Sequence, residues 1–296
     1  MLKQQFILLV ITLFIASGCE PESGLNKAVN YQLYIDSSAD QNPAVSPDGS
    51  LVAYYHKNLE TQEANEYPTG LYVMDIDGNN RRLLLKGAHW SPSWSPDGNW
   101  IVFTSGGTLQ IINLKGDSIR TFQGVNDVPL FHPDWSSNGK LILFSSPLVE
   151  GGGFFICDPT FLNVRQLFNL YEFSGTDPNW SPEGNKILYS KLYEGNEELF
   201  VIDTAGTNDT RLTVNDRTNR HSRWSPDGRL ITWSSSTRIY VMNSDGTDPK
   251  ILDYGRYPCW LPDSETIIYS NANEDFTKEV LYRINIDGSN KIQLTH

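Results

Sequence analysis

The chain has 296 residues, of which 35 are acidic and 23 basic, so its formal net charge is −12. The acidic residues are spread along the chain and no basic stripe occurs. This balance argues against nucleic acid as a partner, and against an anionic membrane surface as a partner of the folded part.

The first residues have the pattern of a bacterial secretory signal with a lipobox. Lys3 precedes an apolar run over residues 6–15, and Ala-Ser-Gly stands directly before Cys19. The apolar run is too short to span a bilayer. We predict a lipoprotein signal peptide over residues 1–18, lipidation at Cys19 and a polar tether over residues 19–30. The alternatives are an ordinary signal peptide that leaves Cys19 as a free thiol, or an uncleaved anchor.

Lipidation would place the protein in the cell envelope, because several acyl chains together give a durable membrane tether. Glu20 follows Cys19, whereas an aspartate at this position retains lipoproteins in the inner membrane of enteric bacteria. We therefore expect a location on the periplasmic face of the outer membrane.

From residue 31 onward, one turn motif recurs six times at intervals of roughly 40 residues, a period typical of propeller arrays. Its copies are VSPDG at Val45–Gly49, WSPDG at Trp94–Gly98, WSSNG at Trp135–Gly139, WSPEG at Trp180–Gly184, WSPDG at Trp224–Gly228 and WLPDS at Trp260–Ser264. In this turn, proline presets φ and glycine supplies the positive φ that reverses the chain.

Short apolar and β-branched runs follow each turn, and no helical stripe occurs after residue 30. A second glycine turn joins the third and fourth strands of several units, at residues 75–79, 203–207, 243–247 and 285–289. The pattern predicts an all-β fold, a six-bladed β-propeller of four-stranded antiparallel blades, as one domain over residues 31–296. Either residues 31–36 or residues 291–295 would complete the last blade.

These motifs resemble the WD-like repeats of the TolB family, whose signature combines the W-S-P-D-G turn, an I-x-F/Y strand, a Y-V-x-D-x-D-G hairpin and a closing L-T strand. The resemblance covers residues 31–296 and implies a six-bladed propeller. TolB itself carries a separate α/β domain ahead of its propeller, and we expect no counterpart here.

One tryptophan begins five of the six turns, and a large ring at this place can wedge between neighbouring blades. Because the position repeats from blade to blade, we interpret the five as core residues rather than as an aromatic binding site. They are Trp94, Trp135, Trp180, Trp224 and Trp260.

The candidate binding site is the mouth of the central funnel, where the residues just before each inner strand converge. These positions vary between the repeats, and the candidate ligand-binding residues among them are His132, Asp177, Arg220, His221, Arg256 and Tyr257. Arginine forks could hold a peptide carboxylate or an acidic sugar, and His132, His221 and Asp177 could bind a metal. The alternative is that these groups pair with one another across a wet channel.

No catalytic motif accompanies this ring. The sequence contains neither a G-x-S-x-G nucleophile elbow nor an H-E-x-x-H zinc helix. The turn with Asp75, Asp77 and Asn79 lacks the other carboxylates of a calcium loop. We predict no catalytic residues, no metal and no cofactor. Cys157 and Cys259 should stand too far apart to form a disulfide.

The sequence thus predicts a non-enzymatic, lipid-anchored propeller of the cell envelope, a monomer that binds a protein partner as a TolB-like scaffold. The alternative is a carbohydrate or small-acid binding protein, or a lyase, that uses the polar funnel mouth.

Overall fold

The computed structural model describes residues 38–58, 67–124, 128–146, 153–169 and 176–296. Within these ranges the regular secondary structure consists of strands, and no helix is long and apolar enough to cross a membrane. The predicted signal peptide, Cys19, the tether and the strand candidate at residues 31–36 lie outside the described residues.

The described strands fall into six repeats of four. Repeat one contains β1 (Ala39–Val45), β2 (Leu51–Lys57), β3 (Gly70–Asp75) and β4 (Arg82–Lys86), and repeat two contains β5 (Trp90–Trp94), β6 (Trp100–Ser105), β7 (Thr108–Asn113) and β8 (Ile119–Phe122). Repeat three contains β9 (Phe131–Trp135), β10 (Ile142–Ser146), β11 (Gly153–Cys157) and β12 (Arg165–Asn169), and repeat four contains β13 (Thr176–Trp180), β14 (Lys186–Tyr193), β15 (Asn196–Asp203) and β16 (Thr210–Arg211). Repeat five contains β17 (Asn219–Trp224), β18 (Leu230–Ser235), β19 (Arg238–Asn243) and β20 (Lys250–Tyr254), and repeat six contains β21 (Arg256–Trp260), β22 (Thr266–Ala272), β23 (Glu279–Asn285) and β24 (Ile292–Gln293).

The prediction of six separate four-stranded antiparallel blades is wrong. Repeats two to five each form a four-stranded blade, whereas repeats one and six join in a single eight-stranded sheet. The joint is parallel, because Ala39 of β1 pairs with Glu279 of β23, and the Glu279 amide donates to the Ser38 carbonyl at 3.2 Å. Turn spacing reports pairing within a repeat, so it carried no signal for this contact between distant segments.

The C-terminal candidate for the last strand is the one that the described structure contains. β24 pairs with β23, and the buried Leu294 packs beside it against repeat one. The Leu281 amide also donates to the Thr295 hydroxyl at 2.9 Å.

The first strands of the six repeats contact one another in succession around a ring, and β21 contacts β1 to close it. The apolar core lies between neighbouring repeats. Trp94 packs against Ala53 and Leu71 of repeat one, and its indole N–H donates to the Ala44 carbonyl at 2.9 Å. Trp260 likewise packs on Ile239 of the preceding repeat. All five turn tryptophans pack in the apolar clusters, as predicted, although Trp135 and Trp224 are only partly buried.

Each turn motif is closed by its own side chains. In repeat two the Ser95 hydroxyl hydrogen-bonds with the Asp97 carboxylate and accepts from the Trp100 amide at 3.0 Å. The Gly98 amide donates to the Ser95 carbonyl at 2.9 Å, and Gly98 has a φ of 71°. The same serine contacts recur in other repeats. These turns therefore fix where each first strand ends and how the chain reverses into the second strand.

Candidate functional site

The predicted mouth residues lie within the first strands rather than before them. Each of these six strands has an irregular register near its start, where one residue adopts a left-handed φ between 51° and 55°. The left-handed residues are Asn42, Ser91, His132, Asp177, His221 and Tyr257. Such bulges re-aim side chains. We call these six residues and the residue before each of them the mouth.

Asp177 joins three repeats at the mouth. Its Oδ1 lies 3.1 Å from His132 Nε2, and its Oδ2 accepts from the His221 amide at 3.3 Å. Each histidine is fixed a second time by its own sheet. His132 Nδ1 lies 3.3 Å from the Ser145 hydroxyl, and His221 Nδ1 lies 2.9 Å from the Ser234 hydroxyl. Three of the six predicted residues therefore form one network.

The charges in this network follow from burial and proximity. Burial by itself would raise the pKa of Asp177, but His132, His221 and Arg223 outweigh it and hold that pKa well below its usual range. Burial lowers the pKa of His221 to about 4, although the Asp177 charge opposes this. At neutral pH Asp177 is therefore an anion, and His221 is neutral.

The two predicted arginines, Arg220 and Arg256, lie beside different carboxylates. Arg220 forms a two-pronged ion pair with Glu197, and this hydrogen bond raises the pKa of Arg220. Arg256 lies near Glu279, whose carboxylate accepts from the Gln41 amide at 2.5 Å. Burial raises the pKa of Glu279, while the Gln41 hydrogen bond and the Arg256 charge oppose that rise.

Tyr257 completes this side of the mouth. Its ring centroid lies 4.2 Å from that of His221, and burial raises the pKa of Tyr257 to about 12. Its hydroxyl is therefore protonated at any physiological pH.

The described residues contain no group of three or more His, Cys, Asp or Glu side chains placed to hold a metal ion. The alternative in which His132, His221 and Asp177 bind a metal therefore has no ligand set in the described structure. Cys157 and Cys259 are both buried free thiols.

Trp90 and Phe131 also occupy mouth positions in the sequence, but the predicted ligand-binding residues did not include them. Trp90 is 38% exposed and Phe131 is 37% exposed, although both are large apolar side chains. Trp90 is held by the buried Tyr55, with the ring centroids 4.1 Å apart. The available signal was positional, because Trp90 and Phe131 occupy in repeats two and three the place that Arg220 and Arg256 occupy in repeats five and six.

Known proteins share this architecture. The sequence matches the family described as the TolB beta propeller domain over residues 58–296. An uncharacterised protein of Agrobacterium fabrum is 24% identical over 217 residues, which cover 70% of this chain and 73% of that protein. The Tol-Pal system protein TolB of Geobacter sulfurreducens is 38% identical over 77 residues, which cover 23% of this chain and 18% of that protein.

Solved structures agree on the fold. The structure of TolB from Acinetobacter baumannii matches with a TM-score of 0.70 at 19% identity and covers 83% of this chain, while this chain spans 64% of that protein. An oligogalacturonate lyase in complex with manganese matches with a TM-score of 0.57 at 15% identity, over 82% of this chain and 89% of that one. At these identities the likeness concerns the fold alone.

Proposed function

Since the chain belongs to the TolB β-propeller domain family, we propose that it is a non-enzymatic scaffold that binds a protein partner at the mouth. One observation carries this proposal. Trp90 and Phe131 are partly exposed there, whereas Asp177 contacts His132 and His221, and Arg220 is paired with Glu197.

The side chains that a small polar ligand would need are already engaged. The Asp177 carboxylate contacts the His132 imidazole and accepts a hydrogen bond from the His221 amide. The Arg220 guanidinium is paired with the Glu197 carboxylate. A sugar or a small acid that used the Asp177 carboxylate, or the face of Arg220 that meets Glu197, would compete with these contacts. The partly exposed Trp90 and Phe131, by contrast, offer aromatic contact area to a partner, and aromatic residues and Arg are typical binding hot spots. This contrast favours a protein partner over a carbohydrate ligand or a lyase activity.

The envelope location is part of the proposal. We propose a signal peptide over residues 1–18, a lipid anchor at Cys19, a tether over residues 19–30 and a monomeric propeller on the periplasmic face of the outer membrane. The lipobox before Cys19 and the similarity to a protein named for the Tol-Pal system support it.

The test is affinity capture of the full chain, after cross-linking, from the membranes of the bacterium that carries the gene. We expect a discrete protein with the wild type and its loss with Trp90→Ala combined with Phe131→Ala. The matched control is Ile119→Ala combined with Leu162→Ala, which removes two exposed apolar side chains outside the first strands. A partner retained by the mouth variant, or no specific partner for the wild type, would refute the proposal.

A further inference from the structure

A second opening of the ring holds a cavity that the proposed function does not use. It has a volume of about 400 Å³ and is lined by the last residues of five of the six first strands and by the turns that follow them. β1 shows the arrangement, because Gln41 lies at the mouth while Val45, four residues later, lines the cavity. We call this space the turn-side cavity.

The walls of the turn-side cavity combine rigid apolar rings with polar groups. Prolines such as Pro43, Pro92 and Pro226 alternate with the indoles of Trp135 and Trp224. Rings of this kind lose little conformational entropy when they contact a ligand, and pockets of this size typically combine apolar walls with a few placed polar groups. Here the charged groups in the lining are Arg223 and Asp134.

Asp134 is occupied by neighbouring repeats. Its Oδ2 accepts from the Trp180 amide at 2.8 Å, and its Oδ1 accepts from the Ser93 hydroxyl at 3.2 Å. Burial raises the pKa of this carboxyl, while Arg223 and the two hydrogen bonds oppose that rise. Asp134 therefore serves to connect repeats two, three and four.

Arg223, in contrast, has donors to spare. Its Nη1 donates to the Ser222 carbonyl at 2.8 Å, and a guanidinium carries five N–H groups. Its charge acts on the buried carboxylates of Asp134 and Asp177, but across the described ranges no carboxylate oxygen lies within salt-bridge distance of Arg223. A cation with unused donors beside proline and indole rings in an open cavity is the arrangement that an anion with an attached apolar group would complete.

We propose that the turn-side cavity binds a carboxylate attached to an apolar group, with the guanidinium of Arg223 as the anchor. A peptide C-terminus and a small carboxylic acid share this chemistry. The flat carboxylate matches the fork of the guanidinium, and the proline and indole rings receive the apolar part.

The first experiment needs no variant. Binding of N-acetyl-alanyl-prolyl-phenylalanine to the full chain is followed by tryptophan fluorescence, since Trp94, Trp135, Trp224 and Trp260 line the cavity. The same peptide with a C-terminal amide should bind at least about tenfold more weakly, because a charged hydrogen-bonded pair is worth roughly 1.5–3 kcal/mol. Phenylacetate tests the second source, because it carries the carboxylate without a peptide backbone.

The second experiment assigns the anchor. Arg223→Gln should bring the affinity for the carboxylate peptide down to that for the amide, and Arg223→Lys should recover part of the difference. Arg229→Gln is the matched control, because Arg229 is an exposed arginine paired with Asp227 in the turn after the same strand. Equal binding of acid and amide, full binding by a folded Arg223→Gln, or no fluorescence change with either probe at about 10 mM would each overturn the proposal, since even millimolar affinity would then be visible.

The two proposals can fail separately. The comparison of acid and amide peptides uses the wild type and leaves the mouth unchanged, so a failure there does not bear on capture of a partner by Trp90 and Phe131. The mouth variant should in turn bind the carboxylate peptide as the wild type does.

Discussion

Trp90 and Trp94 stand four residues apart on β5, yet they have opposite surroundings. Trp94 is 7% exposed and packs between repeats one and two, with its N–H bonded to the Ala44 carbonyl. Trp90 projects from the mouth and contacts Tyr55. The same side chain therefore contributes to the core at one position and offers contact area to a partner at the other.

This contrast predicts a large difference in stability between two alanine variants. Trp94→Ala should lower the free energy of unfolding by about 3–5 kcal/mol, because it leaves a cavity between two sheets. Trp90→Ala should cost clearly less than this, because Trp90 is 38% exposed whereas Trp94 is 7% exposed. Urea denaturation of both variants beside the wild type measures the difference. Similar losses for the two variants would contradict the packing role of Trp94.

His221 predicts a specific acid sensitivity. Its folded-state pKa of about 4 lies below the ordinary value of 6.5, so the unfolded chain binds the proton more readily. Stability should therefore fall as the pH falls from about 6.5 to about 4, by up to about 3 kcal/mol from this group.

Denaturant unfolding at a series of pH values checks this expectation. His221→Gln should make the dependence shallower in that window while leaving part of the slope, because burial also lowers the pKa of His89. A variant with the unchanged wild-type slope would show that His221 is not the responsible group.

At the scale of the strands and turns, two glycines with similar backbones have different neighbours. Gly78 and Gly184 have φ values of 89° and 72°. A Cβ at Gly78 would lie 2.3 Å from the Leu294 carbonyl oxygen, whereas none of the described atoms lies within 4 Å of a Cβ at Gly184. The turn at Gly78 thus rests directly on the C-terminal segment.

Comparing Gly78→Ala with Gly184→Ala should therefore separate the cost of a left-handed backbone from the cost of a steric clash with Leu294. Gly184→Ala should cost about 1–2 kcal/mol for the left-handed conformation alone. Gly78→Ala should cost roughly 1–3 kcal/mol more, because the backbone of Leu294 must move. Thermal unfolding gives the ranking, and a Gly184 variant that is the less stable of the two would contradict it.

The sequence was most informative about these local elements. The serine, proline and glycine of each turn specify hydrogen bonds within a few residues, so the strands and turns could be predicted, as could the packing role of the turn tryptophans. The pairing of Ala39 with Glu279 could not, because it links strands from opposite ends of the folded region. The bulges that place Asp177 between two histidines also escaped prediction, since the left-handed positions hold six residues of five different types.

At the scale of the whole described structure, the chain forms four blades and one eight-stranded sheet, and the first strands of these sheets form the ring. The mouth lies at the start of these strands and the turn-side cavity at their end, so one rigid framework positions both surfaces. In the proposal of a lipid anchor at Cys19, 19 residues separate that cysteine from the first described strand.

The anchor makes a simple prediction about location. Full-length protein should incorporate radiolabelled palmitate and sediment with membranes, whereas Cys19→Ala should do neither, because it lacks the thiol that carries the lipid. The Cys157→Ala variant is the control, since that thiol is buried in β11. Palmitate incorporation by the Cys19 variant would refute the anchor.

The pairing of β1 with both β2 and β23 has a mechanical consequence. Tension applied at Ser38 reaches the first and the last repeat together, since the carbonyl of that residue accepts from the Glu279 amide. Peeling β1 away would break both its ladder with β2 and the pairing of Ala39 with Glu279, so the load is shared by two repeats from the outset.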